Sequence, residues 1–224
     1  MGGELAPETT GQWIVAKFEH DSARPVEGYA APQLHTHAVF FNMTQAGVGQ
    51  VRSLQPQELY RTQQYATAVY QSQLGYRLRE LGYEIEAGKN GAPEIKGYTP
   101  EYLEVSSPRS RQIKEHLSEQ GISGAGAAQI AAHRTRDAKM PHSEEEMRER
   151  HRQISEAFGN QAERVVQAAK ERGHDIERES HQRPAQSAVT FARDRNLERD
   201  AVVDERALLR DALKRSWRKR DSRM

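Results

Sequence analysis

The chain has no cysteine in its 224 residues. That excludes disulfides, thiolate-held metals and a cysteine nucleophile, and it accords with a reducing compartment. Long apolar runs are absent too. No stretch approaches the ~20 residues needed to cross a bilayer, and Met1-Gly2-Gly3-Glu4 opens no signal peptide. The chain reads as soluble and cytoplasmic, without membrane insertion. Neither sign of charge dominates: 33 basic and 32 acidic side chains leave a net +1, so affinity for nucleic acid has to come from local clusters. Aromatics run short in the second half. All eight Tyr, three of the five Phe and Trp13 precede residue 104; only Phe158, Phe191 and Trp217 follow. Hydrophobic residues make up only 36%, and the mean hydropathy is −0.91. The packed core is therefore expected in the N-terminal part, with a thinner helical region behind it. There is no internal repeat and no Gly-rich loop of the kind that cradles phosphate.

What the chain does have is a cluster of histidines on strand-like sequence. His35 and His37 lie two apart in Pro32-Gln33-Leu34-His35-Thr36-His37-Ala38-Val39-Phe40-Phe41-Asn42. Side chains alternate along a strand, so both imidazoles face one way. His20 closes a second apolar run, Gln12-Trp13-Ile14-Val15-Ala16-Lys17-Phe18. If the two runs pair, three imidazoles can converge on one divalent ion and leave positions open for substrate. Two exposed strand histidines also meet the His-x-His pattern by chance. Metal-dependent hydrolases and cupin-like barrels share it, and spacing alone does not separate these readings. From Ala38 to Phe41 the second run is continuously apolar, which predicts a strand covered on both faces.

Further along, Pro56 opens a long helix that Gly82 ends, with Leu59, Gln63, Ala66, Tyr70, Leu74, Leu78 and Leu81 at helical spacing. The runs 83–87 and 94–98 flank Gly88-Lys89-Asn90-Gly91, a hairpin signal. Helices are expected from Ser107-Pro108 to Gly121, from Ala125 to Lys139, from the capping box Ser143-Glu144-Glu145-Glu146 to Phe158-Gly159, and from a second such box at Asn160 and Glu163 to Gly173. A polar linker at 174–186 precedes short helices at 187–196 and 204–217 and a basic end from Lys214 to Arg223. The division is residues 1–173, carrying the three histidines, and 174–224, linker and short basic helices.

Taken together these stretches resemble the conjugative relaxases of the TrwC/TraI type, the MobF family of the HUH endonuclease superfamily. The matching residues are Phe18-Glu19-His20-Asp21-Ser22, the runs 32–42, 58–70 and 81–85, Glu94-Ile95-Lys96-Gly97-Tyr98, Ser106-Ser107-Pro108-Arg109 and Ala131-Ala132-His133-Arg134-Thr135-Arg136. They follow in family order, and the resemblance runs to about Leu213. It implies an α+β fold, a partial HUH relaxase with an antiparallel sheet covered by helices and a helical C-terminal extension. It implies nicking of one strand at a plasmid transfer origin by an N-terminal tyrosine that stays joined to the 5′ end. His20, His35 and His37 become the ligands of a divalent metal, Mg or Mn first and Zn or Ni as alternatives, acting as Lewis acid and template. Single-stranded DNA is the implied partner, with relaxosome accessory proteins or a complementary relaxase fragment beside it. His133, Arg134 and Arg136 are read as phosphate contacts rather than metal ligands, against the plainer reading of a solvated helix face.

The sequence departs from the family pattern at its start. The family's catalytic tyrosines lie on a segment before the first metal histidine, and no tyrosine occupies that place here. Tyr29 lies in the wrong segment and the others follow the triad, so no catalytic residue is assigned. The helicase region that follows in the family is also not seen, and the expectation is an internal slice of a relaxase. Three functions compete: a relaxase-class nickase and strand transferase, an inactive metal- and single-stranded-DNA-binding or accessory chain, and an unrelated metallohydrolase.

Overall fold

The structure is a computed structural model that describes residues 6–47, 49–88, 91–136, 143–173, 182–198 and 200–216. Strands β1 (Val15–Ser22) and β2 (Pro32–Phe40) pair antiparallel, with Phe18 opposite His37 and His20 opposite His35. Their connection is itself hydrogen-bonded into a turn. Ala23 N–H donates to the Ala31 carbonyl at 2.8 Å, and Val26 and Tyr29 exchange both backbone bonds at 2.9 Å. Glu27 and Gly28 at its tip have φ of 49° and 78°. Two positive φ values in succession match the right-handed strand twist.

Burial inverts the expectation from the apolar runs. Val26, Tyr29, Ala30 and Ala31 in the connection are buried, whereas Val39, Phe40 and Phe41 are 43–47% exposed. Strand β2 is thus not covered on both faces by the described residues. A continuous apolar run reports that cover would be favourable, not which segment supplies it. The connection is buried because helix α5 (Glu144–Ala157) lies on it. The Tyr29 and His151 rings are 5.5 Å apart, His151 Nε2 donates to the Ala30 carbonyl at 3.0 Å, and Ala30 N–H reaches Met147 Sδ at 3.4 Å.

Two further hairpins follow, β3 (Thr44–Ala46) with β4 (Gln50–Arg52) and β5 (Ile85–Ala87) with β6 (Pro93–Ile95), the second formed where Asn-Gly predicts it. The Thr44 hydroxyl ties the first of them to the lead-in through the Gln12 carbonyl at 2.9 Å. The helices are α1 (Pro56–Glu80), α2 (Pro100–Val105), α3 (Pro108–Glu119), α4 (Ala125–Arg134), α5, α6 (Gln161–Arg172), α7 (Gln182–Leu197) and α8 (Glu205–Ser216). The class is α+β with antiparallel pairing, as expected. The Ser143 cap forms, its hydroxyl accepting from Glu146 N–H at 3.4 Å. Asn160 does not repeat it: its φ is 53° and its side chain makes no cap bond. Asn tolerates the left-handed region, and here it follows Gly159, also at positive φ. Helix α7 starts inside the expected linker, and α2 carried no sequence signal. The stretches 174–181 and 217–224, with Trp217 and most of the basic end, and the expected helix end at Lys139 lie outside the described residues.

The contacts group the chain into two compact units, residues 1–55 with 100–158 and residues 56–99 with 159–224. Each has a thin core. The buried apolar residues are mostly alanines, and no large side chain is fully buried among the described residues. In the second unit α8 packs on α7 and α1, which brings Asp211 inside. Burial pushes the Asp211 carboxyl up, but hydrogen bonds from Arg210 and Asn196 and the charges of Arg210 and Arg195 outweigh it and hold the pKa below the ordinary aspartate value. The bonds measure 2.8 Å from Arg210 Nε and 3.2 Å from Asn196 Nδ2. Because the folded pKa lies below the unfolded one, the carboxylate stabilises the fold fully above the unfolded value. That contribution is lost as pH falls through the folded pKa. Asp211→Ala is therefore expected to cost about 1–3 kcal/mol at neutral pH. The gap to the unmutated chain should close in urea titrations well below the ordinary aspartate pKa of ~3.9.

Candidate metal centre

Register decides the site. Residues directly opposite in an antiparallel pair project to the same face, so the His20–His35 pairing puts His20 on the face that His35 and His37 share by alternation. The three ring centres form a near-equilateral triangle: 5.2 Å between His20 and His35, 5.0 Å between His20 and His37, and 5.0 Å between His35 and His37. A nitrogen ~2.1 Å from an ion puts its ring centre about 3.2 Å away. Two such rings at octahedral to tetrahedral angles then stand roughly 4.6–5.3 Å apart. The triangle fits one shared ion.

The tautomer of His35 also suits ligation. Its Nδ1 lies 2.9 Å from the Gln33 carbonyl oxygen. A carbonyl only accepts, so Nδ1 carries a proton and Nε2 is the nitrogen left to face an ion. Such a bond aims a ligand ring and raises its basicity. Among the described residues no group of three or more His, Asp or Glu side chains stands arranged to hold an ion as it is. The centre spacing is the more telling measure, because rotation about the Cβ–Cγ bond redirects the nitrogens while leaving the ring centres nearly in place. His20 and His37 are exposed and His35 is half-buried, so a bound ion keeps open positions toward solvent.

His133 and Arg134 end α4 and Arg136 follows it, all three exposed and in the same compact unit as the triad. A helix C-terminus favours cations, which accounts for them without a ligand as well as with one. Arg109, two residues along in the same motif series as Ser107, has a different role from the basic residues around His133. Its guanidinium donates to the Thr135 carbonyl at 2.7 Å and the Thr135 hydroxyl at 3.0 Å, and also to the Ala132 carbonyl. It closes the C-terminus of α4 from α3. No local signal reveals that clamp, because its partners lie more than 20 residues along the chain.

Tyr29 is the tyrosine nearest the triad in sequence, and it is poorly suited to attack. It is buried at 5% exposure. Burial pushes its hydroxyl above the ordinary phenol value, Tyr102 adds to the rise, and Arg150 offsets part of it. Neither β1 nor β2 contains a tyrosine.

The profile of the family described as TrwC relaxase matches residues 1–158. Over 147 residues the chain is 33% identical to the multifunctional conjugation protein TraI of Escherichia coli, covering 61% of this chain and 8% of that protein. Among solved structures it is similar to conjugative relaxase TrwC in complex with oriT DNA in a metal-bound form, with TM-score 0.64 and 31% identity over 71% of this chain and 55% of that one. It is also similar to TrwC complexed with a 27-mer DNA comprising the recognition hairpin and the cleavage site, with TM-score 0.62 and 32% identity over 68% of this chain and 54% of that one. The match thus spans about half of the TrwC chains and 8% of TraI. For the triad itself, calorimetric titration with Mn or Zn is expected to show one site. His35→Ala/His37→Ala should weaken it by at least about 100-fold, beyond the usual effect of losing a group that only orients a ligand. Unchanged binding in that variant would remove the assignment.

Proposed function

Since the chain belongs to the TrwC relaxase family, we propose that it carries the metal-binding part of a relaxase site that works on single-stranded DNA at a plasmid transfer origin. The observation that carries this reading is the triangle of His20, His35 and His37 on one strand pair. In this reading residues 1–173 form the relaxase part and 174–224 an extension. Its place of work is the cytoplasm. Among the described residues no helix is long and apolar enough to cross a membrane.

The three imidazoles would hold a divalent ion, which supplies Lewis-acid polarisation of phosphate oxygens. Mn suits this donor set better than Mg, which prefers oxygen ligands; Zn and Ni are the alternatives. The residues of this chain orient: β1 and β2 set the donor positions, and the Gln33 carbonyl fixes the His35 tautomer. His133, Arg134 and Arg136 would add sequence-independent phosphate contacts. In the family chemistry a tyrosine oxygen bonds to the scissile phosphorus, the bond to the 3′ oxygen breaks, and that oxygen takes up the proton. Tyr29 is buried and the other tyrosines all follow the triad, away from the family's motif position; in this reading the nucleophile would come from a complementary relaxase segment, with relaxosome accessory proteins as further partners.

Two measurements test this reading. With single-stranded transfer-origin DNA and Mn, the 224-residue chain should bind DNA but give no protein–DNA band that survives denaturation. An adduct mapping to one of its tyrosines would overturn the assignment of the nucleophile elsewhere, since positioning in line with the phosphate contributes much of such a rate. Replacing His133, Arg134 and Arg136 with Gln should weaken binding by roughly 10-fold, evenly across sequences, and flatten its salt dependence. A loss confined to one sequence would show that these residues read bases.

A further inference from the structure

A cleft of about 300 Å³ opens in the unit made of residues 56–99 and 159–224. One wall is the outer end of the β5–β6 hairpin, where Lys96 N–H donates to the Glu84 carbonyl at 2.9 Å. The other wall is α6, with Arg164, Val165 and Arg172. Gly97 brings the walls together. Its φ is 103°, and a Cβ there would stand 2.7 Å from a Val165 methyl, so the hairpin backbone rests directly on the helix.

The charges on the rim are unequal in their commitments. Arg172 is engaged: its Nη1 donates to the Gly82 carbonyl at 2.6 Å, and its Nε lies 3.6 Å from Glu84. The one acid on the rim is thereby matched to one cation. The side chains of Lys96 and Arg164 line the same cleft and have no hydrogen-bond or ion-pair partner among the described residues. Two unmatched cations on one concave surface repel each other, and an entering anion relieves that repulsion. A guanidinium offers paired donors to two oxygens of one group, and an ammonium adds a point charge. The lining has no aromatic ring on which a base could stack. The cleft is therefore equipped for a phosphate and not for reading a base.

We propose that this cleft holds a backbone phosphate of single-stranded DNA, gripped by Lys96 and Arg164, with Arg172 as a fixed wall. The choice of DNA over a free phosphate compound rests on the function proposed above; the anion chemistry rests on the cleft alone. The test is anisotropy of a labelled oligothymidylate without transfer-origin sequence, across a series of KCl concentrations. Lys96→Gln/Arg164→Gln should weaken binding about 5–10-fold at low salt and make the log–log salt slope shallower by about 0.7 for each phosphate no longer neutralised. Lys96→Arg should keep most of the slope that Lys96→Gln alone loses, which a purely structural role would not predict. Both side chains are exposed, so the thermal midpoint and the metal titration of the histidine triad should stay unchanged. An unchanged slope with DNA binding intact would overturn the cleft assignment and leave the proposed function standing. Competition by inorganic phosphate without any change in slope would also overturn it, marking a small-anion site. Failure of the unmutated chain to bind this oligonucleotide at all would overturn the cleft's DNA ligand, and the transfer-origin DNA measurement above then decides the proposed function separately.

Discussion

The β1–β2 register is the constraint on which the candidate site depends. His20 faces His35 across the ladder, and His37 follows on the same face. A slip of one residue would send His20 to the opposite side of the sheet and leave a pair in place of a triad. Two-stranded ribbons are marginal by themselves, so the register has to be pinned from outside. The positive-φ turn at Glu27-Gly28 sets the loop length, and α5 clamps the connection through His151 and Met147. At the other end the Phe41 N–H donates to the Ile14 carbonyl at 3.0 Å, extending the ladder past the strands.

The ribbon is fastened at its turn and its base and left bare between them. Phe18, Val39 and Phe40 are all more than 40% exposed, while the buried apolar residues among those described are mostly alanines. Alanines let helices approach closely but remove little apolar area from water, at roughly 25 cal/mol for each Å². Many of the ion pairs run along single helices between exposed side chains, as with Arg152 and Glu156. Such pairs contribute little. Buried polar anchors consequently matter more here than in a thick-cored domain. Asp211 on the buried face of α8 and Gln161, which accepts from Thr99 N–H at 2.8 Å, are examples.

The same arginine chemistry serves two ends in this chain. Arg109 and Arg172 direct their donors to backbone carbonyls and hold elements together. Arg164 is on α6, and its guanidinium has no hydrogen-bond or ion-pair partner among the described residues. What distinguishes them is the presence of an acceptor within reach, and that follows from how the helices dock.

Much of this was legible in the linear order. Pro56 and Gly82 bracket α1, Asn90-Gly91 lies between β5 and β6, Ser143 caps α5, and the spacing of His35 and His37 places both on one face. Each is a local property: a dihedral preference, a missing N–H, a two-residue period. The family resemblance was legible for the same reason, as motifs in series. The convergence of His20 with the other two rings was conditional on pairing, which no residue type encodes alone. The remainder needed three dimensions. Asn160 adopts the left-handed conformation after Gly159 and makes no cap bond, a choice its residue type permits but does not impose. The apolar run at 38–41 lies exposed while Val26, Tyr29, Ala30 and Ala31 of the connection are buried, because α5, more than 100 residues later, returns to cover the connection. Periodicity states which face would gain from burial; only the packing of distant segments decides which face is covered, and which cations are left free to meet an anion.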